Sequence, residues 1–249
     1  MPFTPAHPAI VLPLLKRARM SALGLIVGSM APDFEYFFKM KVSSHYSHTL
    51  GGLLYFDLPV SFLLGWLFIR FVRISLLSNL PHFLQRRLRP MALMDSKQIL
   101  REGWLAFAYS ALLGSMSHLL WDSFTHRDAF FVQNLSFYHG AYIPFDGVRY
   151  PLWYALQHIS SAIGLFILVL YVIQQPTDSV TLYRPNVGYW FVVLAVAALV
   201  VAIRFLWVPG DFKEGNIIVT SITGFCCGLV LAGMINFNNV PREAKHYDG

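Results

Sequence analysis

Long apolar stretches alternate with short polar segments along most of the chain. A helix of about 20 apolar residues is long enough to cross the hydrocarbon core of a bilayer. The pattern predicts five such spans, at 50–72, 103–122, 151–173, 187–208 and 216–237. We therefore predict an all-α fold, a polytopic membrane helical bundle in which residues 1–249 form one integral membrane domain.

The N-terminal region follows a different pattern. Residues 8–18 and 21–32 are apolar, but each is only about half as long as a membrane span. The basic segment 16–19 separates them, which predicts a short antiparallel helical hairpin with its tip at a polar surface. Such a hairpin brings its open ends together, so we expect His7 to lie near Asp33.

Composition supports a membrane location and limits the partners. Hydrophobic residues make up 56% of the chain and charged residues 13%, which is too apolar for an ordinary soluble domain. The net charge of +6 comes from bases that flank the spans and form no aromatic-lined groove, so we predict membrane lipid as a partner and no nucleic acid. Residues 187–237 carry no intramembrane carboxylate or histidine, and we interpret them as scaffold or as a contact in a homo-oligomer.

The distribution of basic residues predicts the orientation. The connection between the first two spans contains six Lys or Arg residues, whereas 123–150 contains two. The positive-inside rule places the first connection in the cytoplasm and 123–150 outside. Residues 79–101 are interpreted as a basic helix on the cytoplasmic leaflet.

Polar residues concentrate at the outer end of this predicted bundle. The stretch GSMSHLLWDSFTH places His118 and Asp122 one turn apart on one helix face, and His126 follows. Polar groups inside a membrane cost free energy and usually mark function. The candidate metal ligands at this end are His7, Asp33, His45, His48, His118, Asp122, His126 and His158.

Imidazole and carboxylate ligands suit Zn²⁺ best among the common metals, with Mn²⁺ or Fe²⁺ as alternatives, and the set is large enough for one ion or two. We predict Asp33, Glu35 and Asp122 as catalytic residues, Glu35 as a candidate general base. The alternative is a hydrogen-bonded polar cluster or proton relay without a metal.

Five motifs carry a resemblance to a known family. MPFTPAHPA, GSMAPDFEYF, SHTLGGLLYFDLP, GSMSHLLWDSFTH and LQHISSAIGL occur in order up to about residue 165. Together they resemble the bacterial membrane proteins catalogued as domain of unknown function 4184. The order of polar residues is more distantly similar to inner-membrane metal-dependent hydrolases of the YdjM type. That similarity implies a metal-binding set of His7, Asp33, His48, His118 and Asp122.

The resemblance, together with an open coordination position, favours a metal-dependent hydrolase. Its substrate would be an ester or phosphoester of a lipid or of the cell envelope, attacked by metal-activated water. The expected location is the bacterial inner membrane, with the polar cluster at the outer side. The alternative is a non-enzymatic membrane protein for ion or metal handling, transport or assembly that uses the same cluster. A transporter is expected to carry polar groups through to the cytoplasmic end, and this pattern is missing from the sequence.

Overall fold

The computed structural model describes residues 3–92, 103–177, 184–235 and 237, and most of them are helical. The helical class predicted from the sequence is therefore confirmed. In chain order the helices are α1 (Pro8–Val11), α2 (Ala22–Met30), α3 (Phe34–Lys39), α4 (Leu53–Asn79), α5 (His82–Ala92), α6 (Trp104–Asp122), α7 (Phe130–Asn134), α8 (Leu152–Ile173), α9 (Val187–Trp207) and α10 (Glu214–Met234).

Four helices in the described ranges are long and apolar enough to cross a membrane: α4, α8, α9 and α10. They correspond to four of the five predicted spans. The fifth prediction, 103–122, forms the 19-residue helix α6, which is not one of the four. The buried face of α6 carries Ser110, Ser115, His118 and Asp122, and these side chains lower its hydropathy. A count of five spans is therefore not confirmed.

The N-terminal hairpin is present, but its first arm is broken into short pieces. A 3₁₀ turn (Thr4–Ala6), α1 and a second 3₁₀ turn (Leu12–Leu14) follow one another, and α1 packs against α2. Each piece has a proline in its first turn. Proline lacks an N–H group and clashes with the preceding helical turn, so one continuous helix over 8–18 cannot form.

A small antiparallel β-hairpin lies within the segment that the sequence analysis treated as an outer loop. Strand β1 (Tyr142–Phe145) pairs with β2 (Val148–Pro151). Asp146 and Gly147 between them both have positive φ, as a two-residue turn of type I′ requires. The backbone N–H of Leu152, the first residue of α8, donates to the carbonyl of Ala141, so the hairpin leads directly into a membrane-length helix.

Contacts divide the chain into two compact units. The first comprises 1–33, 46–61 and 105–171, and the second comprises 34–45, 62–104 and 172–249. The single-domain organisation stays a prediction.

Within the first unit, α2 and α6 approach so closely that their glycines are required. A Cβ on Gly28 would lie 2.1 Å from the carbonyl oxygen of Ala111, and one on Gly114 would lie 2.4 Å from that of Leu25. The Ser115 hydroxyl donates to the carbonyl of Gly28 at 3.0 Å, which fixes the register. This contact brings the C-terminal end of α2 alongside the second half of α6.

Within the second unit, α9 packs along α10, with Tyr189, Val193 and Ala232 in the core. Asn79, at the end of α4, accepts a hydrogen bond from the backbone of Asn186, and its carbonyl accepts one from the indole of Trp190. The predicted basic segment forms α5 as far as Ala92, and 93–101 lie outside the described residues.

Candidate metal centre

The centre is built at the C-terminal end of α6 in the first unit. His118 and Asp122 lie one turn apart on the buried face of this helix. Asp33, in the 3₁₀ turn Ala31–Asp33 that follows α2, is also buried. His48 lies in a turn before α4 and is partly exposed. Three separate segments therefore contribute two carboxylates and two imidazoles to one place.

Short distances between imidazole nitrogens and carboxylate oxygens link four atoms: Asp33 Oδ1, His48 Nε2, His118 Nε2 and Asp122 Oδ2. His48 Nε2 lies 3.5 Å from the Asp33 oxygen and 3.4 Å from the Asp122 oxygen. His118 Nε2 lies 3.6 and 3.3 Å from the same two oxygens. Thus each imidazole nitrogen faces both carboxylates.

These separations fit ligands of one ion. Hydrogen bonds between nitrogen and oxygen are usually 2.7–3.2 Å long. Donors placed about 2.0–2.2 Å from a tetrahedral Zn²⁺ are about 3.3–3.6 Å from one another. Asp33 Oδ1 and His118 Nε2 are buried and have no hydrogen-bond partner among the described residues. A buried polar group without a partner is costly, and a cation between these atoms would remove the cost.

Asp33, His48 and His118 each have a second polar atom, and a neighbouring group contacts it. His118 Nδ1 lies 2.8 Å from the carbonyl oxygen of Ser29, which can only accept, so Nδ1 carries the proton. The Thr4 hydroxyl donates to Asp33 Oδ2 at 2.5 Å, and Ser47 Oγ lies 2.8 Å from His48 Nδ1. In a neutral His118 this tautomer directs the Nε2 lone pair towards the two carboxylates, which is the arrangement of a metal ligand.

His7 lies against the four-donor set. Its ring stacks on that of His118, with centroids 3.7 Å apart, and its Nε2 lies 3.7 Å from Asp122 Oδ1. Both ring nitrogens of His7 and Asp122 Oδ1 are buried without a hydrogen-bond partner among the described residues. Two groups can therefore hold a metal ion by geometry: His7, His118 and Asp122, and Asp33, His48 and His118.

Burial and charge set the protonation of the residues outside α6. Burial, with the charge of His118 adding to it, lowers the pKa of His7 to about 3, so this imidazole is neutral. Burial would raise the pKa of Asp33, but the charge of His118 and polar contacts from His118 and His48 keep it below its usual value. For His48, burial opposes protonation, whereas contacts with the two aspartates prevail and raise its pKa.

His126 approaches the centre from the turn that follows α6. The helix stops at Asp122, and the following turn places His126 Nδ1 3.6 Å from Asp122 Oδ2. The His126 side chain is 30% exposed and that of His48 is 19% exposed, whereas His7 and His118 are fully buried. The centre therefore opens on the side of His48 and His126.

Three residues predicted for the site are placed elsewhere. The carboxylate of Glu35 pairs with Lys39 at 2.5 Å and accepts from the backbone of His45. The His45 ring lies 3.1 Å from the Lys39 ammonium, and all three residues belong to the second unit. His158 is exposed on α8 and packs against Tyr154.

The supporting groups Thr4, Ser29 and Ser47 were not predicted from the sequence. Thr4 lies three residues before His7, and Ser47 directly precedes His48, so proximity to a candidate ligand was an available signal. Ser29 contributes through its backbone carbonyl, which leaves no trace in the sequence.

No curated protein and no solved structure gives a significant match to the chain. One protein-family model does match, over residues 1–234, and its description is "Domain of unknown function (DUF4184)". The match extends beyond residue 165, where the resemblance seen in the motifs ended, and includes α9 and α10. The chain therefore belongs to the family of domain of unknown function 4184, and its most distinctive feature is a buried His/Asp group that could hold a metal ion.

Proposed function

We propose that the protein is a membrane metal-dependent hydrolase that binds one Zn²⁺ ion through Asp33, His48, His118 and Asp122. One observation carries the proposal. Asp33, His48 and His118 each direct one donor atom towards the others, and the opposite polar atom of each contacts a neighbouring group that orients it. This arrangement of ligands and supporting hydrogen bonds is typical of metal sites and is unnecessary for a simple ion pair.

We propose one ion because the two possible ligand groups share His118. Its Nδ1 is committed to the Ser29 carbonyl, so only the single lone pair on Nε2 is available. His7 then lies beside Asp122 Oδ1 without being a ligand, the low pKa of its ring keeps it neutral, and a fifth coordination position would be left for water.

The proposed reaction is hydrolysis of an ester or phosphoester. A bound Zn²⁺ would lower the pKa of its water towards 7 and polarise the substrate oxygen. The buried ring of His7 and the well-supported ring of His118 keep bulk water away from the inner wall of the site. His126, at the exposed rim, is placed to exchange a proton with solvent during turnover. The assignment of Glu35 as general base is not retained in this proposal, because its carboxylate is paired with Lys39.

The choice of hydrolysis draws on the expectation, from the order of the polar residues, of a distant resemblance to YdjM-type hydrolases, and on the open side of the centre. The proposed location is the bacterial inner membrane with the centre at the outer side, where lipids and cell-envelope precursors are accessible. A non-enzymatic metal-handling protein would bind the ion at the same residues but would not hydrolyse an ester.

Metal analysis of the detergent-purified protein tests the first step. We expect about one Zn²⁺ per chain in the wild type and loss of most of it in His118→Ala and Asp122→Asn. His158→Ala is the matched control, since this histidine is exposed on α8, where its ring packs against Tyr154, and its loss should leave the zinc content unchanged. A wild type that contains no metal and takes none up would overturn the metal site.

An activity assay tests the second step. The metal-loaded protein is incubated with phosphodiester and carboxyl-ester lipids, and products are identified by mass spectrometry. Hydrolysis that a chelator abolishes and Zn²⁺ restores would support the proposal. A stoichiometric metal site without hydrolysis of any lipid ester would favour the metal-handling alternative.

A further inference from the structure

A cavity of about 320 Å³ lies in the first unit, next along the chain from the candidate centre. Aromatic side chains dominate its wall, namely Tyr138, Tyr142 and Trp153. Among the described residues that line it, Arg127 is the only charged one. Its guanidinium makes no hydrogen bond or ion pair with another residue in the described ranges. The cavity therefore presents an exposed guanidinium beside aromatic rings.

The cavity is tied to the open side of the candidate centre. Arg127 directly follows His126, so their Cα atoms are about 3.8 Å apart. The hydroxyl of Tyr138 donates at 2.8 Å to the carbonyl of Phe124, in the turn between Asp122 and His126. The wall of the cavity thus packs on the same turn that carries the exposed rim of the centre.

The cavity also includes the start of a membrane-length helix. Pro151 and Trp153 flank the first residue of α8, whose backbone bonds to Ala141 in the cavity wall. The adjoining β-hairpin exposes apolar side chains, and Phe145 at its tip is 72% exposed. The end of a membrane helix lies near the level of the lipid head groups, and exposed aromatic residues are favoured in that layer.

We propose that this cavity binds the phosphate head group of a membrane lipid, with Arg127 as its charge partner, and presents that lipid to the adjacent centre. Arginine suits this role because its planar guanidinium forms paired hydrogen bonds to phosphate oxygens. The aromatic wall accommodates the glycerol and the first carbons of the acyl chains. This inference rests on the proposed function for the reaction and assigns its substrate class as phosphate-bearing lipids.

Lipid binding to the purified full-length protein tests the proposal. Phosphatidylglycerol is titrated into the chelator-treated protein in detergent, and bound lipid is measured by native mass spectrometry. Diacylglycerol, which lacks the phosphate, and inorganic phosphate, which lacks the chains, are compared. We expect phosphatidylglycerol to bind, diacylglycerol to bind at least tenfold more weakly, and millimolar inorganic phosphate not to displace the lipid.

The variant Arg127→Ala should weaken phosphatidylglycerol binding about tenfold, the loss expected for a charge-assisted hydrogen bond. Arg17→Ala, at the exposed tip of the N-terminal hairpin, removes the same charge and should leave binding unchanged. Unchanged binding in Arg127→Ala, equal losses in both variants, or full displacement by inorganic phosphate would each overturn the proposal.

The same experiment separates this inference from the proposed hydrolase. Binding is measured without metal, so it does not require catalysis. If the protein binds lipid through Arg127 but hydrolyses no lipid, the proposed lipid site is supported and the proposed hydrolase activity is rejected. Hydrolysis of lipid esters that Arg127→Ala leaves unchanged, with unchanged lipid binding, would reject the lipid site and retain the enzyme.

Discussion

At the scale of single residues, the candidate centre is defined by polar atoms that are buried and unsatisfied. His118 Nε2, Asp33 Oδ1 and both ring nitrogens of His7 have no hydrogen-bond partner among the described residues. Burying such groups costs free energy that the fold must offset. Thr4 donates to the other oxygen of Asp33, and the Ser29 carbonyl accepts from the other ring nitrogen of His118. These hydrogen bonds fix the directions in which Asp33 Oδ1 and His118 Nε2 point.

His7 gives a pH prediction for the metal-free protein. Its pKa is lowered to about 3 in the folded state by burial, whereas in the unfolded chain it is near 6.5. Between these values the unfolded chain binds the additional proton, so stability falls as the pH falls from about 6.5 towards 3. His7→Gln cannot take up this proton. The unfolding free energy of His7→Gln should therefore fall less steeply with falling pH than that of the wild type. The two slopes should differ by about 1.4 kcal/mol per pH unit between pH 6 and 4.5.

Denaturant titration of the chelated protein in micelles measures this difference. His158→Gln, the same substitution at an exposed histidine of α8, controls for the change of side chain itself. Equal slopes for the wild type and His7→Gln would show that His7 is not held neutral by burial.

At the scale of helices, the position of the centre depends on the close contact between α2 and α6. Gly28 and Gly114 allow backbone to meet backbone, and the carbonyl of Ser29 then reaches His118. The end of α6 matters as well, since on a continued helix His126 would lie about 80° around the axis from His118, two turns earlier. The centre therefore depends on where α6 ends as well as on which residues it carries.

The variant Gly28→Ala should disturb both stability and metal binding. Its Cβ would lie 2.1 Å from a backbone oxygen of α6, so the two helices must move apart. We expect a loss of about 1–3 kcal/mol in unfolding free energy and a lower zinc content in the folded fraction. Gly51→Ala is the matched control, because its Cβ would meet only the ring of Tyr55, an exposed side chain. Retention of full zinc content in Gly28→Ala would show that the α2–α6 contact does not position the ligands.

At the scale of the whole molecule, the two compact units have different contents. The residues of the candidate centre and of the aromatic cavity all lie in the first unit, whereas α9 and α10 lie in the second. The family match nevertheless covers both. The second unit is therefore part of what defines the family, although none of its residues belongs to the two possible metal-binding groups.

Cysteine labelling tests the predicted orientation in the membrane. The native Cys226 and Cys227 are first replaced by serine, and Asp146→Cys or Arg86→Cys is then introduced. Position 146 is in the turn of the β-hairpin, and position 86 is exposed on the basic helix α5. A membrane-impermeant maleimide should label position 146 in intact cells and position 86 only after permeabilisation. The reverse result would place the candidate centre on the cytoplasmic side.

The sequence by itself determined the features that depend on local spacing. Apolar length gave four membrane-length helices, because the bilayer imposes that length on any single span. His118 and Asp122 share a helix face at a separation of four residues, whatever surrounds them. The two short apolar segments predicted the helical hairpin. The prolines that break its first arm are present in the same part of the sequence.

Only the tertiary structure decided which distant residues meet. His48 joins the centre, whereas the His45 ring lies against the Lys39 ammonium, because the backbone between the two histidines bends and turns. His158 stays on an exposed face of α8, whereas His126 turns inward once α6 has ended. Contacts between residues far apart in the chain depend on the close approach of backbones and on helix ends. Spacing along the sequence does not encode either of these directly.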